Sequence, residues 1–136
     1  MQVRELMRHE VVRIREEATL GEMCDLFQQH HIHGAPVVDA AGHLVGFVSQ
    51  EDVLFGGMGG PTSRQDDALR ARDIMTSPAV TATEETDVVE VCRLMWRLRI
   101  HHLPIVRGRE IVGILSAMDL CRAVSEGTIR VESGAK

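Results

Sequence analysis

Gly46-Phe47-Val48-Ser49-Gln50-Glu51-Asp52 returns later in the chain as Gly113-Ile114-Leu115-Ser116-Ala117-Met118-Asp119. Glycine, two apolar residues, serine and, three positions on, aspartate recur 67 residues apart. Upstream the likeness continues at an offset of 68. Pro36-Val37-Val38 answers to Pro104-Ile105-Val106, and Ile32-His33 to Ile100-His101. Leu20-x-x-Met23-Cys24-x-x-Phe27 answers to Val88-x-x-Val91-Cys92-x-x-Met95, and Leu6-Met7 to Ile74-Met75. The offset changes because Asp39-Ala40-Ala41-Gly42-His43 is one residue longer than Arg107-Gly108-Arg109-Glu110. Self-similarity on this scale makes the chain two copies of one unit.

Each copy reads alike locally. Thr19 with Glu22, and Asp87 with Glu90, are N-cap signals ahead of apolar residues at i, i+3, i+4 and i+7, which predicts amphipathic helices over about 20–31 and 88–99. Ala35–Val38 and Leu103–Val106 are short apolar runs with proline near the start, where a strand tolerates it. A glycine-containing turn leads from each into Leu44–Ser49 or Ile111–Ser116, so a hairpin is expected. Short helices over about 50–55 and 117–125 close the copies. The expected organisation is a first repeat at 1–57, a linker at 58–70, a second repeat at 71–125 and a flexible tail at 126–136. The glycines of Gly56–Ser63 do not form a P-loop, because GxxxxGK[ST] is absent.

Composition narrows the function classes. With 136 residues, 44% of them hydrophobic and 26% charged, the chain suits a compact soluble fold. Fifteen basic against twenty acidic residues give a net charge of −5, and three Phe and one Trp leave little for base stacking. Nucleic-acid binding through a basic or aromatic surface is therefore not expected. Cys24, Cys92 and Cys121 lack the close pairing of a zinc knuckle or redox motif, which predicts a reducing, cytoplasmic setting. The charged start Met1-Gln2-Val3-Arg4-Glu5 leads us to expect no secretory signal, and no apolar run approaches membrane-spanning length. Fourteen of the fifteen basic residues are arginine, whose fork suits phosphate and carboxylate.

Ser49/Asp52 and Ser116/Asp119 are the most informative positions. Ser/Thr-x-x-Asp/Glu is also a capping box, and the chain repeats it at Thr19/Glu22, Ser63/Asp66 and Thr81/Glu84. Recurrence in one context, at a strand end leading into a helix, points further. A helix N-terminus offers free N–H groups to an anion. A carboxylate there can accept two hydrogen bonds from a vicinal diol. Ribose followed by phosphate fits that pattern.

These residues resemble a tandem pair of cystathionine β-synthase (CBS) domains, a Bateman module, over about residues 3–124. The resemblance implies a mixed α/β fold of two βαββα units packed sheet to sheet with pseudo-twofold symmetry. It implies an adenosine-type ligand (AMP, ADP, ATP or S-adenosylmethionine) in clefts between the repeats, with no required cofactor, and a homodimer. Asp52 and Asp119 match ribose-binding positions, Ser49 and Ser116 match positions near ribose or phosphate, and Phe47, Ile114, Val38 and Val106 match positions flanking the base. Arg99-Ile100-His101-His102-Leu103-Pro104 is similar to the nucleotide-sensing gamma subunits of AMP-activated protein kinases, where the matching histidine approaches phosphate. His101, its counterpart His33, and Arg99 are accordingly candidate phosphate contacts. The adjoining position, usually basic in that family, holds Gly34 in the first copy and His102 in the second.

Other side chains have simpler readings. His30-His31-x-His33 sits at a helix C-terminus without a carboxylate or cysteine to complete a ligand set, so no metal site is expected. Cys24 and Cys92 are read as core residues on the apolar stripe, and Trp96 as part of a dimer face. No Ser-His-Asp order, paired carboxylates or metal-assisted hydrolase motif emerges, and the family resemblance implies a regulatory role, so binding without turnover is expected. The expected role is a ligand sensor read by a second copy or a separate effector protein. A dimerisation scaffold with empty clefts is the alternative. The sequence ranks Asp119 above Asp52 for a phosphorylated ligand, because Arg99 and His101 accompany it.

Overall fold

The computed structural model describes residues 1–57, 69–130 and 132. In the first copy, β1 (Ile14–Arg15) leads to α1 (Leu20–His30), β2 (Gly34–Val38), β3 (Leu44–Ser49) and α2 (Gln50–Gly57). In the second, α3 (Ala71–Ile74) is followed by α4 (Val88–Leu98), β4 (His102–Arg107), β5 (Glu110–Ser116) and α5 (Ala117–Ser125). A 3-10 turn at Val3–Glu5 opens the chain.

Helix α1 starts where its cap demands. Thr19 Oγ1 accepts the Glu22 N–H at 3.1 Å while Glu22 Oε1 accepts the Thr19 N–H at 2.8 Å. Leu20, Met23 and Phe27 then face inward. His31 ends the helix in the left-handed region, with φ 54°, as Arg99 ends α4 with φ 59°. In α4 the cap is Asp87, whose Oδ1 accepts the Val89 N–H at 3.1 Å, and Val88, Val91 and Met95 form the buried stripe.

Strand β2 is buried along its whole length and lies between β1 and β3. Proline is tolerated because the parallel ladder with β1 begins beyond it, at Ile14↔Val37, while Pro36 pairs with Phe47 on the other side. Between β2 and β3, Asp39 Oδ1 accepts the N–H groups of Ala41 and His43, both at 2.9 Å. The bond from the His43 backbone holds the Asp39 carboxyl below its usual range. The second copy repeats the plan with β4 and β5 as a hairpin turning at Gly108, φ 64°. Its counterpart of β1 shrinks to one parallel bridge, Ala82↔Ile105, at the same offset of 68 from Ile14↔Val37.

Two compact units result, and they differ from the sequence copies. One comprises Val11–Val80 with Gly108–Ile111; the other comprises Met1–Glu10, Thr81–Arg107 and the chain from Val112. In the first, Ile14, Leu20, Met23, Phe27, Ala35, Val37, Val48 and Val53 form a core completed by Ala71, from the opening of the second copy. Arg70 bridges Thr19, and Thr76 bridges Phe47. In the other unit the opening of the first copy does the same: Val3 is fully buried, Gln2 bridges Asp87 and Arg8 bridges Ile114. Gly46 and Gly113 make room for these segments. A Cβ on Gly46 would stand 2.5 Å from Met75 Sδ and 2.9 Å from the Thr76 carbonyl; on Gly113 it would stand 2.7 Å from Met7 Sδ and 2.9 Å from the Arg8 carbonyl.

Three sequence readings change. The closing helix of the first copy, expected over about 50–55, runs to Gly57 as α2, with Gly56 close to Leu20 and Ile74; residues 58–68 of the expected linker lie outside the described residues. The expected tail begins with order: Gly127, φ 79°, and Ile129 donate N–H groups to Val124 and Ala123, closing α5, while 131 and 133–136 lie outside the described residues. Cys24 and Cys92 are exposed, because Leu20, Met23, Phe27 and their counterparts occupy the inward face.

Candidate functional site

The turn from β3 into α2 gathers most of the first copy's candidates. Ser49 pairs with Gly34 across the hairpin, and the Gln50 N–H donates to the His33 carbonyl at 2.7 Å, so His33 lies beside the helix start. Ser49 and Asp52 form a capping box: Asp52 Oδ2 accepts the Ser49 N–H at 2.8 Å, and Ser49 Oγ accepts the Asp52 N–H at 3.2 Å. Asp52 is half-buried, and among the described residues nothing bonds to its Oδ1. Phe47 exchanges two backbone bonds with Thr76, at 2.9 and 3.0 Å, and its ring covers Gly34, where a Cβ would come within 2.8 Å. Val38 is buried in β2.

The second copy builds the same turn with a different charge balance. The Ala117 N–H donates to the His101 carbonyl at 2.8 Å, and Ser116 and Asp119 form the capping box at 2.9 and 3.1 Å. Ile114 exchanges backbone bonds with Arg8, as Phe47 does with Thr76. Arg8 then adds something Thr76 cannot. Its Nε donates to Asp119 Oδ1 at 2.8 Å, and Arg122 Nη2 stands 3.5 Å from the same oxygen. Asp119 is 3% exposed and is the buried charged residue of the described chain. Ion pairing makes that burial tolerable.

Arg8 and Thr76 are the residues that the sequence reading passed over. They were legible in principle, since each follows the methionine of its copy's opening segment at the same offset of 68. What hid them is that each reaches the turn of the other copy. Arg99 stacks on Trp96: its guanidinium lies 4.8 Å from the ring centroid, a cation–π contact on an exposed surface. Both His33 and His101 are exposed, and Val106 donates its N–H to Ala82.

Beside the first copy's turn a cavity of about 700 Å³ opens between α1 and α2, lined by residues that include Phe27, His31, His33, Gln50, Val53 and Leu54. Partial burial pushes the Cys92 thiol above its usual range. Among the described residues no cluster of three or more His, Cys, Asp or Glu could hold a metal, and no helix is long and apolar enough to cross a membrane.

Two hairpin units, each closing on a Ser-x-x-Asp turn and each completed by the other copy's opening segment, define a tandem pair. Residues 3–58 and 71–126 each match the CBS domain family, and the chain belongs to it. An inosine-5′-monophosphate dehydrogenase of Methanocaldococcus jannaschii is 29% identical over 119 residues, which is 87% of this chain and 22% of the dehydrogenase. The chain spans 22% to 46% of the length of four such curated relatives. Among solved structures, the CBS domain pair of protein MJ0100, in complex with 5′-methylthioadenosine and S-adenosyl-L-methionine, superposes with a TM-score of 0.81 at 24% identity, covering 93% of this chain and 98% of that one. CBSX2 in complex with AMP gives 0.80 at 22% identity, covering 94% and 98%.

Proposed function

We propose that this chain is a regulatory, ligand-sensing module that binds an adenosine-type ligand, AMP, ADP, ATP or S-adenosylmethionine, without turning it over. The observation that carries this reading is the Asp52 carboxylate, half-buried at the start of α2 with one oxygen tied to the Ser49 N–H and the other unpartnered among the described residues. An ionised carboxylate so placed accepts from both hydroxyls of a ribose. The Ser49 hydroxyl and His33 would then meet ribose or phosphate, and Phe47 and Val38 would flank the base. Ser116, Asp119, His101, Ile114 and Val106 are the corresponding set in the second copy. Arg99, stacked on Trp96, keeps the N–H groups of its guanidinium plane for phosphate. Adenosine-type ligands named with the MJ0100 pair and CBSX2 support the choice of ligand class.

A sensor needs a reader. We propose a homodimer formed through the helices, supported by exposed apolar side chains concentrated there: Leu54 and Phe55 on α2, Val89, Trp96 and Leu98 on α4, Met118 and Val124 on α5. A ligand that favours one arrangement shifts its population, and a second copy or a separate effector protein reads the shift. Thermal denaturation tests the ligand reading. A ligand at about 100 times its Kd adds roughly 2.7 kcal/mol. A raised melting temperature with at least one of the four, reduced in Asp52→Ala, is the expected result. An unchanged melting temperature with all four at millimolar concentration contradicts it and leaves a dimerisation scaffold.

A further inference from the structure

The two candidate carboxylates are in different states, and two side chains account for the difference. Asp119 has both oxygens engaged, Oδ2 by the Ser116 N–H at 2.9 Å and Oδ1 by Arg8 at 2.8 Å, with Arg122 at 3.5 Å from Oδ1. Its side chain is 2% exposed, so little surface is left for an incoming hydroxyl. Asp52 has one oxygen in the capping box and the other without a partner among the described residues. By the repeat register, the counterpart of Arg8 is Thr76 and that of Arg122 is Phe55. Neither can pair with a carboxylate as a cation. The backbone around Arg8 and Thr76 is the same in both units, a two-bond bridge to Ile114 or Phe47, so the asymmetry lies in the side chains.

From this we infer that the chain has one open adenosine-type site, at Asp52, and that Arg8 occupies from within the chain the place a ribose diol would take at Asp119. The inference rests on the function proposed above and deepens it. It also reverses the ranking read from sequence. A diol entering at Asp119 must exchange a charge-assisted ion pair for neutral hydroxyl donors, which are weaker partners for a buried carboxylate. At Asp52 a diol meets a carboxylate oxygen that no described residue engages.

Calorimetric titration of the full chain with AMP and, separately, S-adenosylmethionine tests the inference. Wild type is expected to bind one equivalent per chain of at least one probe. Asp52→Asn abolishes that binding, and Asp119→Asn leaves it within a factor of three. Arg8→Thr, which gives the second copy the first copy's residue, raises the stoichiometry toward two. Because Arg8→Thr strips a buried carboxylate of its partner and could fail to fold, the reciprocal Thr76→Arg is the second arm. Thr76 is exposed, and an arginine there is expected to weaken binding at Asp52 at least tenfold.

Two equivalents in wild type overturn the inference, as does binding that survives Asp52→Asn and disappears in Asp119→Asn. Undiminished binding by Thr76→Arg also overturns it. If wild type binds neither probe but a folded Arg8→Thr binds one, the inference alone fails, because Asp52 is not the open site. If neither protein binds either probe, nor ADP nor ATP, the proposed function fails and this inference with it.

Discussion

Gly46 and Gly113 show how one residue serves two readings. In sequence each heads the Gly-Phe-Val-Ser or Gly-Ile-Leu-Ser run leading to an aspartate, and so looks like part of the ligand turn. In the structure each is the gap through which the other copy's methionine and backbone approach the sheet. Methionine can bend aside; the carbonyls of Thr76 and Arg8, 2.9 Å from an added Cβ, cannot move so freely. Gly46→Ala and Gly113→Ala are each expected to destabilise by about 1–3 kcal/mol in urea denaturation. Gly21→Ala is the control, because its Cβ would meet nothing nearer than Thr19 Oγ1 at 4.0 Å. That change is expected to stabilise by roughly 0.5 kcal/mol, as removing a helical glycine does.

Among the elements, those governed by neighbouring residues were readable. Caps and apolar spacing placed the long helices at 20–31 and 88–99, and they run Leu20–His30 and Val88–Leu98. Thr19→Ala removes the cap of α1 and is expected to cost about 1 kcal/mol, measurable by thermal denaturation. A loss below a few tenths would mean that packing alone fixes the start of α1. The opening segments were not readable, because residues 2 and 8 bond to residues 87 and 114, and nothing in local pattern announces so distant a partner. Val3 illustrates the consequence. It looks like an unremarkable residue near a chain end, yet it is fully buried, and Val3→Ala is expected to cost roughly 1.5 kcal/mol. For Cys24 and Cys92 the apolar stripe was identified but its width was overestimated: residues at i, i+3 and i+7 fill the inward arc and leave i+4 at its flank.

At the scale of the whole molecule, the repeat gives two turns of one design, and sequence differences at Arg8 and Arg122 give them different chemistry. The turn residues were legible because they recur; the lock on Asp119 was not, because it is made by an arginine 111 residues away. The exposed helix residues make a second prediction at this scale. Trp96 is 73% exposed and is the chain's single tryptophan, so its emission reports on the proposed dimer face. The emission is expected to shift to shorter wavelength as concentration rises through the dimer's Kd, and Trp96→Ala to raise that Kd at least tenfold. Sedimentation showing a monomer throughout, with unchanging emission, would remove the dimer from the account.

The most direct measurement of the central idea, that a carboxylate at the start of a helix grips a sugar's neighbouring hydroxyls, compares AMP with 2′-deoxy-AMP by calorimetry on wild type and Asp52→Ala. Wild type is expected to favour AMP by about 10- to 100-fold, the worth of one hydrogen bond to a charged group, and Asp52→Ala to lose that preference. Equal affinity of wild type for the two nucleotides, or a preference that survives in Asp52→Ala, would contradict it.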